Sequence, residues 1–233
     1  MKPRGGDPSG EGTRVLPVTA VFLGGGRGCR IGGNKLYLPD GERGSLILRI
    51  LDRIAPWFEA ILIAVGPEDR RPLERILAGR GSSVPVRVVV DREPGRGPLE
   101  GVAAALEEVS SEWTFVLGCD MPCVREEVIR ALWEARELRS DVVCAELAGF
   151  LEPLHAFYRR TCLVPIRAAL EAGDLRMKGF YPRVAVTVVD EETLALLPAY
   201  GRSFWNVNTP EDLERIRGAR SSSALPPLRS RRA

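Results

Sequence analysis

Residues 18–35 read VTAVFLGGGRGCRIGGNK: six residues without a charge, three glycines, and a glycine-rich stretch that ends on a lysine. An uncharged run of this length that stops at glycine fits a short strand covered on both faces, as strands of a parallel sheet are. Six glycines fall within Gly24–Gly33. Such a segment exposes backbone N–H groups and tolerates positive φ, which suits a phosphate cradle. Arg30 and Lys35 add two cations within reach of a polyphosphate. The segment follows the first strand, and open α/β sheets bind ligands at the carboxyl ends of their strands. It is not a P-loop, because Leu36 rather than Ser or Thr follows Lys35. A G-x-G-x-x-G pattern fits in several registers and for that reason discriminates little.

Outward from this stretch, apolar runs alternate with helical periodicity. Val18–Leu23, Ala60–Val65, Val86–Asp91 and Trp113–Gly118 are predicted strands, with Val142–Glu146 and Val184–Val189 as later ones. Ser45 is placed to cap a helix whose Leu46, Ile47, Ile50, Leu51 and Ile54 share one face. Leu99–Val109 and Glu126–Leu138 follow the helical pattern, and Thr209-Pro210-Glu211-Asp212 starts a last helix. The alternation predicts a three-layer α/β fold with a mainly parallel sheet.

The chain has 233 residues, enough for one such domain. Residues 1–17 read as a flexible leader, 18–217 as the folded domain and 218–233 as a basic flexible tail. The net charge of +2 is unevenly spread: the leader carries +1 and the tail +4, leaving −3 on the domain. A mildly acidic domain argues against a broad nucleic-acid face. No apolar run approaches the ~20 residues that span a bilayer, and the N-terminus lacks a signal-peptide core, so no membrane partner and a cytoplasmic location are expected. The five cysteines include no C-x-x-C pair, and His155 is the only histidine, so no zinc site of usual spacing exists. Most of the cysteines read as small core residues, with Cys29 exposed by its loop.

A second motif is Phe115-Val116-Leu117-Gly118-Cys119-Asp120-Met121-Pro122. An acid directly after an apolar strand sits at the sheet's carboxyl edge, where a hard oxygen ligand suits Mg²⁺ bridging phosphates. An Asp in that position is as often a turn residue. The pairing with the glycine loop decides between the two.

L-G-G-G-x-G-x-R-I-G-x-x-K at the first strand and C-D-M-P some ninety residues later together resemble the nucleotidyltransferases that activate sugars, alcohols and cofactors. Within them the chain is most similar to the molybdenum cofactor guanylyltransferases. Gly97-Pro98-Leu99-Glu100-Gly101, Glu152-Pro153-Leu154-His155-Ala156-Phe157-Tyr158 and the run from Phe204 to Leu213 (FWNVNTPEDL) carry that narrower resemblance. It extends over residues 18–217 and implies a Rossmann-like nucleotidyltransferase domain. Leu23, Gly24 and Gly25 would line the guanine end of the nucleotide, and Gly26, Asp91 and Gly101 would also contact the nucleotide. Lys35 and Arg30 would face the phosphates, Asp120 would hold Mg²⁺, and Asn206 and Asn208 would meet the pterin acceptor. His155 is expected as a packed or substrate-side residue and is placed with the acceptor group. The implied reaction transfers GMP from GTP to the phosphate of molybdopterin, with molybdoenzymes or cofactor-insertion proteins as further partners. Gly25 favours guanine, since CTP-using relatives tend to carry Ala there; a CTP enzyme, another phosphorylated acceptor or a non-catalytic nucleotide-binding regulator are the alternatives. Two positions depart from the family pattern. Gly24 stands where Ala is usual, and Ala64 or Val65 where some members have an Asn that contacts nucleotide.

Overall fold

The computed structural model describes residues 15–24, 35–41, 44–79 and 81–218. Most of the expected leader and nearly all of the expected tail lie outside these residues. The first strand, β1, runs from Leu16 to Leu23 and starts two residues before the expected one. Then follow α1 (Leu46–Ile54), β2 (Phe58–Val65), α2 (Pro67–Ala78), β3 (Val86–Val90), α3 (Pro98–Glu108) and β4 (Trp113–Gly118). The second half comprises α4 (Glu126–Glu134), β5 (Val142–Leu147), β6 (Phe150–Arg159), α5 (Leu163–Glu171), β7 (Val186–Val189), α6 (Glu191–Ala195) and α7 (Pro210–Gly218).

The strands form one sheet in the order β3-β2-β1-β4-β6-β5-β7. All pairings are parallel except those of β6 with β4 and β5. Alternate side chains divide the interior as a two-residue period requires. Val18, Ala20 and Phe22 of β1 join one buried cluster with α1, α4 and α7; Val21 and Leu23 join the other with α3 and α5. The sheet is thus the middle of three layers, as the alternation of elements predicts.

In α1 the five predicted apolar residues are all buried, whereas Asp52 and Arg53 face outward. Each buried Leu or Ile contributes about 1.5–3 kcal/mol. Ser45 does precede this helix with extended backbone, but its hydroxyl makes no capping bond and lies buried instead. The predicted cap interaction is therefore wrong, although the boundary is right. At α7 the cap is real: Asp212 N donates to Thr209 Oγ1 (3.2 Å), and the N–H groups of Asn208 and Thr209 donate to Asp212 Oδ2 (3.0 Å each).

One ion pair binds the layer of α3 and α5. Glu100 has no exposure at all, and Arg167 Nη1 donates to both of its carboxylate oxygens at 2.9 and 2.8 Å. Arg167 also reaches Glu107 at 3.0 Å. Removing one partner of a buried pair leaves an uncompensated charge, which costs far more than the pair contributes. Arg167→Met is expected to lower unfolding free energy by about 3 kcal/mol in urea titration. Glu100→Gln combined with Arg167→Met should recover most of that loss.

Candidate active site

Three parallel strands bring their carboxyl ends to one level. Leu23 pairs in register with Ala64 of β2 and with Gly118 of β4. Gly24 N donates to Ala64 O (2.8 Å), and Asp91 N to Val65 O (3.0 Å), so both of these residues emerge at the same edge. Residues anticipated from separate motifs are in this way gathered at one end of the sheet, in two groups.

The first group is ionic. Lys35 opens a short 3₁₀ turn, Lys35–Tyr37, anchored by the fully buried Leu36. Its Nζ lies 3.2 Å from Asp120 Oδ2 and 2.9 Å from Asn208 Oδ1. Asp120 is fixed through its backbone, since its carbonyl accepts from Val207 N (2.7 Å) and Met121 N donates to Gly118 O (3.3 Å). A Cβ on Gly118 would stand 2.8 Å from Asp120 Oδ1, so the carboxylate folds back over the glycine. Gly118 is therefore a site residue that the sequence reading passed over. The signal was present in a glycine that closes an apolar strand.

The second group is apolar with one stranded acid. Gly97 adopts φ 76° and ψ −172°, a backbone only glycine takes without strain, and Pro98 then starts α3. This carries Gly101 so close to β1 that a Cβ would sit 3.1 Å from Leu23 Cδ2 and 3.5 Å from both Ala64 Cβ and Asp91 Oδ1. Asp91 Oδ1 is buried and has no hydrogen-bond partner among the described residues. Burial, then the neighbouring charges of Glu100 and Glu68, push its pKa up to about 6. A buried acceptor without a partner is rare in a folded chain, and this one stands at the sheet edge where the nucleotide contact is expected.

Position 24 and the end of β2, where the chain departs from the family pattern, are neighbours in space. A Cβ on Gly24 would come 2.9 Å from Val65 Cγ1 and 2.7 Å from Leu36 Cδ1. The bulk of Val65 and Leu36 fills the space that an alanine methyl at position 24 would need.

Other expectations fare differently. His155 does not face the site. It has no exposure, its Nε2 bonds Ser203 Oγ (2.8 Å), and its ring packs against Phe115 and Phe204. Burial lowers its pKa to about 3. A neutral ring with no exposed atom has no face for an acceptor, so His155 is a core residue and the acceptor placement is corrected. Asn206 is half-buried, with its Oδ1 enclosed, in the segment that also carries Asn208. Gly25, Gly26, Arg30 and Cys29 lie outside the described residues. Cys144 and Cys162 are buried, and burial pushes the thiols of Cys119, Cys144 and Cys162 up to about 12, so they remain neutral. Among the described residues no group of three His, Cys, Asp or Glu side chains forms a metal cage, and no helix is long and apolar enough to cross a membrane.

A model of the MobA-like NTP transferase domain matches residues 20–201. A probable molybdenum cofactor guanylyltransferase of Pelotomaculum thermopropionicum is 35% identical over 203 residues, covering 87% of this chain and 93% of that protein. A molybdenum cofactor guanylyltransferase of Desulfosudis oleivorans is 32% identical over 205 residues, covering 87% and 95%. Among solved structures, molybdopterin-guanine dinucleotide biosynthesis protein A of Archaeoglobus fulgidus superposes with a TM-score of 0.73 at 25% identity, covering 88% of this chain and 99% of that one.

The state of Asp91 can be read in stability. Its folded pKa is raised, from 3.8 to about 6, so the folded state is penalised as pH rises through that window and carries the full penalty above it. Asp91→Asn, which has no charge to bury, should raise Tm at pH 8. The gain should shrink toward zero near pH 4 in thermal melts run across the range.

Proposed function

The chain belongs to the MobA-like NTP transferase family, and from that premise we propose that it transfers GMP from GTP to the terminal phosphate of molybdopterin. The observation that carries the reading is the convergence of Lys35, Asp120 and Asn208 at the carboxyl edge of β1 and β4. Lysine and a single carboxylate beside a glycine-rich segment suit a triphosphate and its metal better than a peptide or sugar.

In the reaction an oxygen of the acceptor's phosphate forms a bond to the α-phosphorus of GTP. The bond from that phosphorus to the β-bridging oxygen breaks, and pyrophosphate leaves with the electron pair. The attacking oxygen is already ionised, so no strong general base is required. His155, neutral and enclosed, is not one. What the protein supplies is alignment and charge neutralisation. Lys35 donates to phosphate oxygens, and Arg30 is assigned the reacting phosphates on the family pattern. Leu23, Ala64 and Gly101 offer a close apolar edge to the base, and Asp91 offers an acceptor to a nucleotide donor.

The residues present fit Mg²⁺ in one particular way. Asp120 belongs to no group of three or more metal-ligating side chains among the described residues, which matches a cation that takes most of its oxygen ligands from phosphates and water. When bound there it would neutralise charge developing on the leaving pyrophosphate. A cytoplasmic setting and use by molybdoenzymes or cofactor-insertion proteins complete the proposal. Preference for GTP over CTP rests on Gly25 and on the named relatives.

Asp120→Ala should abolish pyrophosphate release while Tm stays close to wild type, because its carboxylate is partly exposed and packs little. Release with GTP and molybdopterin at wild-type rates in that variant would overturn the assignment, as would wild-type release with CTP alone among nucleotides for the base preference. Affinity for GTP should also depend on pH. Donation to Asp91 favours its ionised form, so binding is strong above about pH 6 and weakens as pH falls below it. Calorimetric titrations between pH 5 and pH 8 check this, and Asp91→Asn should flatten the profile.

A further inference from the structure

We infer that Asn208 is a positioning residue for the nucleotide's phosphates, acting through Lys35, and not only a contact for the acceptor. The inference rests on the nucleotidyl-transfer reading above. Asn208 Oδ1 lies 2.9 Å from Lys35 Nζ, closer than the carboxylate of Asp120 at 3.2 Å. An ammonium has three donors and no acceptor, so the carboxamide must turn its oxygen to it. Asp120 and Asn208 engage two of those donors, and the third is the one a phosphate oxygen meets. Lysine has a flexible four-carbon stem that loses rotamer freedom whenever it is held in place. Two acceptors already at the site remove much of that freedom before the nucleotide arrives.

Asn208 is itself held on both sides. Val207, fully buried, donates its N–H to the Asp120 carbonyl at 2.7 Å. Asn208 N and Thr209 N both donate to Asp212 Oδ2 at 3.0 Å, in the cap of α7. The start of α7 thus sets the place of Asn208, Asn208 sets the place of Lys35, and Lys35 meets the triphosphate. Among the described residues nothing engages the Nδ2 donors of Asn208, so the same side chain can also reach an oxygen of the acceptor. Donor and acceptor polarise each other along such a chain, so engaging the Nδ2 side strengthens the grip on Lys35.

The test is GTP affinity measured by calorimetry with no acceptor present, in wild type, Asn208→Ala, Lys35→Met and the double variant. Asn208→Ala should weaken GTP about three- to tenfold, the value of one hydrogen bond to a charged group lost indirectly. The same change in the Lys35→Met background should do nothing further, because the residue through which it acts is gone. The exposed Asn208 side chain makes little packing, so Tm should not move. Unchanged or tighter GTP binding in Asn208→Ala overturns the inference, as does an equal loss in the Lys35→Met background. A wild type that binds none of GTP, CTP and ATP overturns the functional reading and the inference with it, whereas normal wild-type binding with an unaffected Asn208→Ala sinks the inference alone.

Discussion

Leu23 and Gly118 lie level on neighbouring parallel strands, and the site depends on that register. Parallel neighbours point their carboxyl ends the same way, so the glycine-rich segment after β1 and the acid after β4 emerge at the same edge with no turn needed to bring them together. A shift of one residue would turn Val21 and Leu23 toward the wrong layer and carry Asp120 away from Lys35. The hydrophobic division of β1 between two clusters therefore fixes more than stability. It sets the separation of Lys35 from Asp120, the two groups proposed to meet phosphates and metal, although neither belongs to the core.

Charge is handled differently on the two sides of this edge. On the α3–α5 side Glu100 is wholly enclosed and is matched by Arg167, so its charge is a fixed internal element. Asp91, at the carboxyl end of β3, is only partly buried, yet its Oδ1 is enclosed without a partner among the described residues, and burial raises its pKa. The contrast separates two uses of a carboxylate: the satisfied one holds two helices together, and the unsatisfied one is the acceptor that the proposed nucleotide site draws on. His155 is enclosed like Glu100 and bonded through Nε2. Its bond to Ser203, whose hydroxyl also accepts from Arg125 N, ties the segment after α6 to the base of α4.

How much of this was legible depended on whether local pattern or distant pairing made each element. β1 and β4 were readable because covered strands must shed charge, and α1 because five apolar residues recur on one face. α2 was missed: six of its twelve residues are charged, Pro72 lies inside it, and Leu73 alone is fully buried. Its helix rests on the surface and leaves no apolar stripe to read. β6 was missed for another reason. Glu152, Pro153 and His155 break its alternation, and the strand exists because β4 and β5 flank it on both sides. The two-residue Ala148-Gly149 turn, with both φ values positive, is a tight hairpin that reverses the chain and makes β6 antiparallel. Leu36 following Lys35 ruled out one motif but gave no hint that the lysine meets Asn208. Those two residues are 173 positions apart, and no local rule joins them. For His155 the sequence left a packed and a substrate-side reading open, and deciding for the packed one took Phe115 and Phe204 from separate segments.

The spacing around position 24 has a consequence for substitution. A Cβ there would lie 2.7 Å from Leu36 Cδ1 and 2.9 Å from Val65 Cγ1, so an alanine requires both side chains to shift. Positions 24, 36 and 65 form one steric unit: a change at any of them alters the room left to the other two, and their effects combine non-additively.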